Sequence, residues 1–379
     1  MTARFPSLTY VLGLALISAM AGSAKAAVYT ITDINAFFTV PVYSEGFDSP
    51  TNPNWTTAQS ANGAAVADST VNYGYEYTAG GNVGPFIAVP VIISAPSQGG
   101  TSTKGVLLSA QDLANAISPA TDLPQGIAIF ASNVPAAPIT PYAIRFDLWV
   151  NYVVGSTSSS EFAFWGAGAT GTQTSIATLS TGATGANAPP PGQPGATATG
   201  GVGPVTTGIT FTTTGDGGFG RDLRTYNGTT EEITDTNYIN KSFLNPAPTP
   251  PATTPAAGTL GIAAQDAGLP AYSAAFGTTG GANNVPGNRW LDVTMVYDGT
   301  DLTSYINGQP IWSKSNSSFA LGKTFVGYMD ANSSVSPTSG YTFAIVDNYR
   351  IVTVPEPTTL LLGLVTFTGM FCRRSRHSR

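Results

Sequence analysis

Seven apolar side chains alternate without a break between Tyr142 and Val154: Tyr142, Ile144, Phe146, Leu148, Val150, Tyr152 and Val154. Arg145, Asp147 and Asn151 fall between them. A repeat of two belongs to an extended chain, whose successive side chains leave on opposite faces. The segment therefore predicts a β-strand with one buried face. Glu161-Phe162-Ala163-Phe164-Trp165 follows a Ser/Thr stretch with the same rhythm and is expected to close a hairpin onto it.

The rhythm returns near the end of the chain. Leu291, Val293, Met295 and Tyr297 alternate with Asp292 and Thr294. Asp298-Gly299-Thr300-Asp301 turns the chain into Leu302 to Ile306, and the tight-turn pair Asn307-Gly308 leads into Pro310-Ile311-Trp312. Phe325 to Met329 is a further strand. Tyr341, Phe343, Ile345, Tyr349 and Ile351 are read as one face of a closing strand, on which Asp347 stands out and is expected to be buried and hydrogen-bonded. Phe86 to Ile93, Gly105 to Leu108, Gly126 to Ala131 and Gly208 to Thr213 complete the strand set. Helix signal is scarce; Ser109 could cap a short helix over Ala110 to Ile117. Many short strands separated by turns predict an all-β, jelly-roll-like antiparallel β-sandwich over residues 27–354. Two tracts, 166–208 and 245–258, are rich in Gly, Ala, Thr and Pro. They bury too little apolar surface to offset ordering, and read as long exposed insertions or, alternatively, as linkers between two domains.

Residues 27–354 contain no histidine and no cysteine; the chain's single His and single Cys are His377 and Cys372. This excludes a Ser-His-Asp triad, a cysteine nucleophile, a His or Cys zinc site and a disulfide. In the same span nine basic residues face twenty acidic ones, a net charge of −11. Such a surface repels phosphate backbones, so no nucleic-acid partner is expected, while divalent cations would be attracted.

The two ends read as targeting segments. Arg4, the mostly apolar run Leu8 to Ala21 and the small-x-small site Ala24-Lys25-Ala26 form a signal peptide over residues 1–26, with a helical core. At the other end, Pro355-Glu356-Pro357 precedes an uncharged stretch from Thr358 to Phe371 and then Arg373, Arg374, Arg376 and Arg379. That stretch is short for a bilayer crossing, which needs about 20 residues, and suits a transient transmembrane helix. The arginines stay on the cytoplasmic side, so the body faces outward. Residues 355–379, with Val354, resemble the PEP-CTERM sorting family through Val354-Pro355-Glu356-Pro357, the apolar stretch and Arg373-Arg374. The resemblance implies an exosortase-type enzyme as partner, transient anchoring in the membrane, and release to the cell surface or extracellular polysaccharide.

The body resembles the concanavalin A-like lectin/glucanase superfamily, laminin-G-like modules in particular. The likeness lies in Glu45-Gly46-Phe47-Asp48 as a first strand, in Trp290 to Gly299 with Tyr305-Ile306-Asn307-Gly308 as a hairpin, and in Phe343 to Ile351 as a last strand. It implies that the first and last strands lie side by side.

With imidazole and thiol absent, paired carboxylates are the only catalytic chemistry left, and no Glu-x-Asp spacing along one strand is present. Asp298 with Asp301, and Asp216 with Asp222, are candidate calcium ligands, or simply turn formers. Trp149, Trp165 and Trp312 are candidate glycan contacts, or second-layer packing. The expected function is non-catalytic binding of carbohydrate or protein outside the cell. A purely structural surface protein is the alternative, and a carbohydrate-active hydrolase is a third reading.

Overall fold

The alternating segment at Tyr142 occupies the middle of an antiparallel sheet. The computed structural model describes residues 29–59, 69–79, 91–97, 101–110, 125–133, 141–151, 161–172, 205–215, 223–231, 286–315, 322–330 and 342–353. The signal peptide, the sorting residues Val354, Pro355, Glu356, Pro357, Arg373 and Arg374, the Pro-rich tract 245–258 and the loop with Asp216 and Asp222 lie outside them.

One helix and fifteen strands are described. The helix α1 is Ile31–Phe37, closed at its start by a capping box in which Thr30 and Asp33 each satisfy the other's backbone N–H. The first sheet holds β1 (Val40–Glu45), β3 (Ser69–Glu76), β4 (Lys104–Ala110), β6 (Tyr142–Asn151), β11 (Trp290–Tyr297), β12 (Asp301–Ile306), β13 (Gln309–Ser315) and β15 (Phe343–Thr353). Its order is β13-β12-β11-β6-β15-β4-β3, with β1 also on β15. The second sheet holds β2 (Thr56–Gln59), β5 (Gln125–Phe130), β7 (Glu161–Ala169), β8 (Ile209–Thr213), β9 (Leu223–Asn227), β10 (Thr230–Glu231) and β14 (Lys323–Asp330), in the order β10-β9-β8-β7-β14-β5-β2. Every described pairing is antiparallel.

The inward residues of both sheets form one core. Tyr142, Ile144, Phe146, Leu148 and Val150 of β6 meet Ala163, Trp165 and Ala167 of β7 there, with the rings of Phe146 and Trp165 6.5 Å apart. Each large side chain buried this way contributes about 1.5–3 kcal/mol. Two layers of strands closing on one apolar interior define a β-sandwich. Among the described residues, no helix is long and apolar enough to cross a membrane.

The first and last strands do lie side by side: β1 pairs β15 from Val40↔Thr353 to Glu45↔Tyr349. The strand ends at Glu45, so Gly46-Phe47-Asp48 is not part of it, and Phe47 takes a φ of 54°. The hairpin β11–β12 and the turn into β13 form as expected, with Asn307 and Gly308 at φ 49° and 75°, as a two-residue turn between twisted strands requires.

Further expectations are corrected. The segments at Tyr142 and Glu161 do not form a hairpin: β6 pairs β11 and β15, whereas β7 pairs β8 and β14 in the opposite sheet. Both have an apolar inward face, and facing each other across the core buries both at once. Ser109 and Ala110 belong to β4 rather than to a helix start. Residues 91–93 carry no strand pairing. The tract 166–208 is not exposed at its start, because β7 runs to Ala169 with buried side chains.

The closing strand is also not one-faced. Asp347 pairs Asp147, but Arg350 pairs Arg145, so β15 carries one extra residue here, and Asn348 has a φ of 53°. This bulge reverses the alternation. Phe343 and Ile345 point outward, whereas Tyr349 and Ile351 point into the core. Beside β15, β4 pairs residues 344–346 and β1 takes over from Tyr349 onward.

Candidate functional site

The outward face of the first sheet changes chemistry along its strands. At one end, Leu107, Trp149, Phe343 and Ile345 lie beneath residues 91–97, a strap whose Ile92 and Ala95 pack on them together with Tyr75 and Tyr77. Trp290 joins this cluster half-buried and donates its indole N–H to the Ile93 carbonyl at 2.7 Å. At the other end, Ile34 and Phe38 of the helical segment cover Ala143, Val296, Tyr305 and Val352. Between these two covers the ladder brings polar groups into rows. Asp292, Asp147 and Asp347 are directly opposed across β11, β6 and β15; one step along, Thr294, Arg145 and Arg350 are opposed in the same way.

The acidic row is tied to the strap. Asp147 is fully buried and accepts the Ser97 hydroxyl at 2.8 Å, the Ser97 N–H at 3.1 Å and the Asn348 amide at 2.8 Å. Asp347, also fully buried, lies 2.7 Å from the Tyr77 hydroxyl. Burial pushes the Asp347 carboxyl up to about 6, and neighbouring Asp147 adds to the rise, against hydrogen bonds from Tyr77, Ser102 and the Asn348 backbone. Burial also raises Asp147, opposed by Asn348 and Ser97. The Tyr77 hydroxyl is held neutral first by burial and then by Asp347.

The basic row is less buried, Thr294 being covered but Arg145 and Arg350 part-exposed. Arg145 pairs Asp292 at 3.0 Å, the two side chains being 12% and 27% exposed, and its other terminal nitrogen donates to Asn35 next to α1's centre. Asp292 is itself fixed, taking the Thr294 hydroxyl at 3.0 Å while its backbone N–H donates to Asn307 at 2.9 Å. Arg350 is partly buried, faces Arg145 across the ladder and has exposed Ser44 opposite it on β1. Burial, and then the charge of Arg145, lower its pKa from the usual arginine range. The result is a small patch of planar, oriented donors and acceptors between two covers.

The tryptophans fall on both sides of the sheets. Trp165 and Trp312 are core side chains, 1% and 0% exposed, and offer no surface to a sugar; their apolar rings fill the space between sheets. Trp149 lies outward but beneath the strap at 9%, with its indole N–H on Asn151. Asp298 accepts the N–H groups of Thr300 and Asp301, both at 2.8 Å, which closes the turn between β11 and β12. No group of three or more His, Cys, Asp or Glu suited to a metal ion occurs among the described residues.

Sequence reasoning missed the rows. Asp147 and Asp347 are two hundred positions apart, and no spacing rule along a strand brings them together. Glu161 and Asp330, both buried, form a second cross-strand carboxylate pair in the other sheet. Arg145 and Asp147 had been placed correctly on the polar side of β6; their partners were hidden in the order of the strands.

This chain is, by its own strand pairing, a two-sheet antiparallel β-sandwich. No protein-family model matches it, and no curated protein matches it. Structural overlap is found with a protein of unknown function with a galectin-like fold from Bacillus subtilis, at 9% identity over 83% of this chain and 97% of that one, TM-score 0.33. Lectin II from Ulex europaeus overlaps at 12% identity over 83% and 100%, TM-score 0.32. The carbohydrate recognition domain of Emp47p overlaps at 8% over 88% and 100%, TM-score 0.34. Values this low assign neither family nor activity.

Proposed function

We propose that this chain is an exported β-sandwich that binds carbohydrate without cleaving it. In this reading a signal peptide delivers it across the inner membrane. The PEP motif, apolar segment and Arg373-Arg374 then hold it for an exosortase-type enzyme, and the body reaches the cell surface or extracellular polysaccharide. The concanavalin A-like resemblance belongs to the same reading. The observation that carries it is the polar opening between the two covers of the first sheet. Arg145 is held there by Asp292 and Asn35, with Arg350 opposite it on β15 and Asn307 against Asp292 on the far side. Planar groups fixed in advance suit the paired hydroxyls of a sugar ring, because little side-chain freedom is lost on binding.

Binding without hydrolysis is supported by the fate of the acids. Hydrolysis needs two carboxyl groups flanking a bond, about 5–10 Å apart and open to substrate. Asp147 and Asp347 are fully buried and hydrogen-bonded under the strap, and Glu161 and Asp330 are 3% and 1% exposed. Pull-down of the full chain on a panel of insoluble polysaccharides tests the proposal. Retention that is lost in Asp292→Ala while the melting temperature falls by no more than a few degrees is the expected outcome. Failure to bind any glycan would leave a structural surface protein, and release of reducing sugar would make it an enzyme.

A further inference from the structure

Arg350 is the charged group of the opening that the described fold leaves without a direct partner. Among the described residues its guanidinium makes no hydrogen bond and no ion pair within 4.0 Å. The carboxylates nearest in charge, Asp292 and Asp147, are committed elsewhere. Asp292 holds Arg145 and the Thr294 hydroxyl, and both oxygens of Asp147 are taken by Ser97 and Asn348. Arg145 sits directly across the ladder, and like charges opposed in a sheet destabilise it. A partly buried cation directly opposite a second cation is the reverse of what stability alone would select.

Resting on the carbohydrate-binding reading above, we infer that these two arginines form a local positive patch on a body whose net charge of −11 opposes polyanions elsewhere, that the sugar is acidic, and that Arg350 takes the carboxylate of a uronic acid residue with Arg145 supporting it by charge. One guanidinium with uncommitted N–H groups presents a planar fork, which matches the two oxygens of a carboxylate. The Arg145 fork is already occupied by Asp292 and Asn35, so it adds charge rather than a second clamp. Asn35, whose side-chain oxygen accepts from Arg145, lies exposed beside it and has an amide NH2 to offer a ring hydroxyl.

Affinity electrophoresis of the full chain, in gels containing polygalacturonate, its methyl-esterified form, neutral dextran or dextran sulfate, tests this. Polygalacturonate is expected to retard the protein at least about tenfold more strongly than its methyl ester, the effect of one charge-assisted fork. Arg350→Gln should remove that preference and leave the melting temperature in place, and Arg350→Lys should restore part of it. Equal retardation by free and esterified polymer, or a preference that survives Arg350→Gln, overturns the uronate assignment while carbohydrate binding stands. Dextran sulfate outcompeting polygalacturonate at Arg350 overturns the carboxylate in favour of a tetrahedral anion. Retardation by none of the four polymers overturns both readings.

Discussion

The outward side chains of β2, β5, β7 and β14 in the second sheet form an apolar layer, Ala58, Ala128, Phe130, Phe162, Phe164, Phe325 and Met329 being buried there, with uncharged Thr210 and Thr212 beside them on β8. Those of the first sheet are apolar only at their two ends, with three aspartates and two arginines between. Both sheets share one core, so the contrast is not a matter of folding need. The second face shows what the chain does when only packing matters. Phe164 lies against Gly327 and Phe325 against Gly166, each aromatic opposite a glycine on the neighbouring strand. A Cβ on Gly327 would come within 2.0 Å of the Phe164 ring. The glycine thus makes room for the ring, and the ring covers the backbone that the glycine leaves bare. On the first face, by contrast, charge is retained where alanine or valine would have been easier to bury.

The most direct way to break this contrast is to cut into both faces. Phe164→Ala should lower stability by about 3–5 kcal/mol, as for other buried aromatics, in urea denaturation followed by fluorescence. Arg350→Gln should stay within about 0.5 kcal/mol of the parent chain. Comparable losses would mean that the arginine is structural and that the two faces do the same job.

Acid should sharpen the contrast next. Asp347 holds its proton up to about pH 6 in the folded chain, whereas an unfolded aspartate releases it near pH 4. Between those values the folded state carries a proton that the unfolded state lacks, so stability falls as pH rises through the window. The shift of about two pH units corresponds to roughly 3 kcal/mol, lost by neutral pH. The raised Asp147 acts in the same sense. Glu76, held low by Thr78 and Thr103, acts in the opposite one, so the informative quantity is the difference from Asp347→Asn. The parent should melt higher at about pH 5 than at about pH 7.5, and Asp347→Asn should flatten that slope. Identical pH profiles would show that the hydrogen bonds from Tyr77 and the Asn348 backbone, not burial, set this carboxyl.

How much of this was legible in the sequence follows from what each residue's signal depends on. Tyr142 to Val150, Leu291 to Tyr297 and the Asn307-Gly308 turn declare themselves because alternation and turn chemistry are local. The face of Phe343 and Ile345 was misread because a single bulge residue, Asn348, inverts everything on one side of it, and no residue type marks a bulge reliably. The β6–β7 hairpin failed for a related reason: an apolar face does not say whether its partner lies beside it or across the core. The helix at Ile31–Phe37 was missed because seven residues are too few to show a period, although Thr30 and Asp33 supplied its cap. Trp165 and Trp312 could not be told from surface aromatics before the sheets were stacked. The site itself was out of reach, because Asp292, Asp147 and Asp347 become neighbours only through strand order.

The smallest expected effect concerns Arg145 and Asp292. Their carboxylate–guanidinium contact at 3.0 Å is part-exposed, so a double-mutant cycle of Arg145→Ala and Asp292→Ala should give a coupling of about 1 kcal/mol. The coupling should shrink when salt is raised to about 1 M, because exposed pairs are screened at that ionic strength. A pair of this size orients the opening without holding the sheet together, which is how a binding surface differs from a core. A coupling of several kcal/mol that ignored salt would place Arg145 and Asp292 among the structural contacts. Arg350 would then be left as the only group of the opening free to serve a ligand.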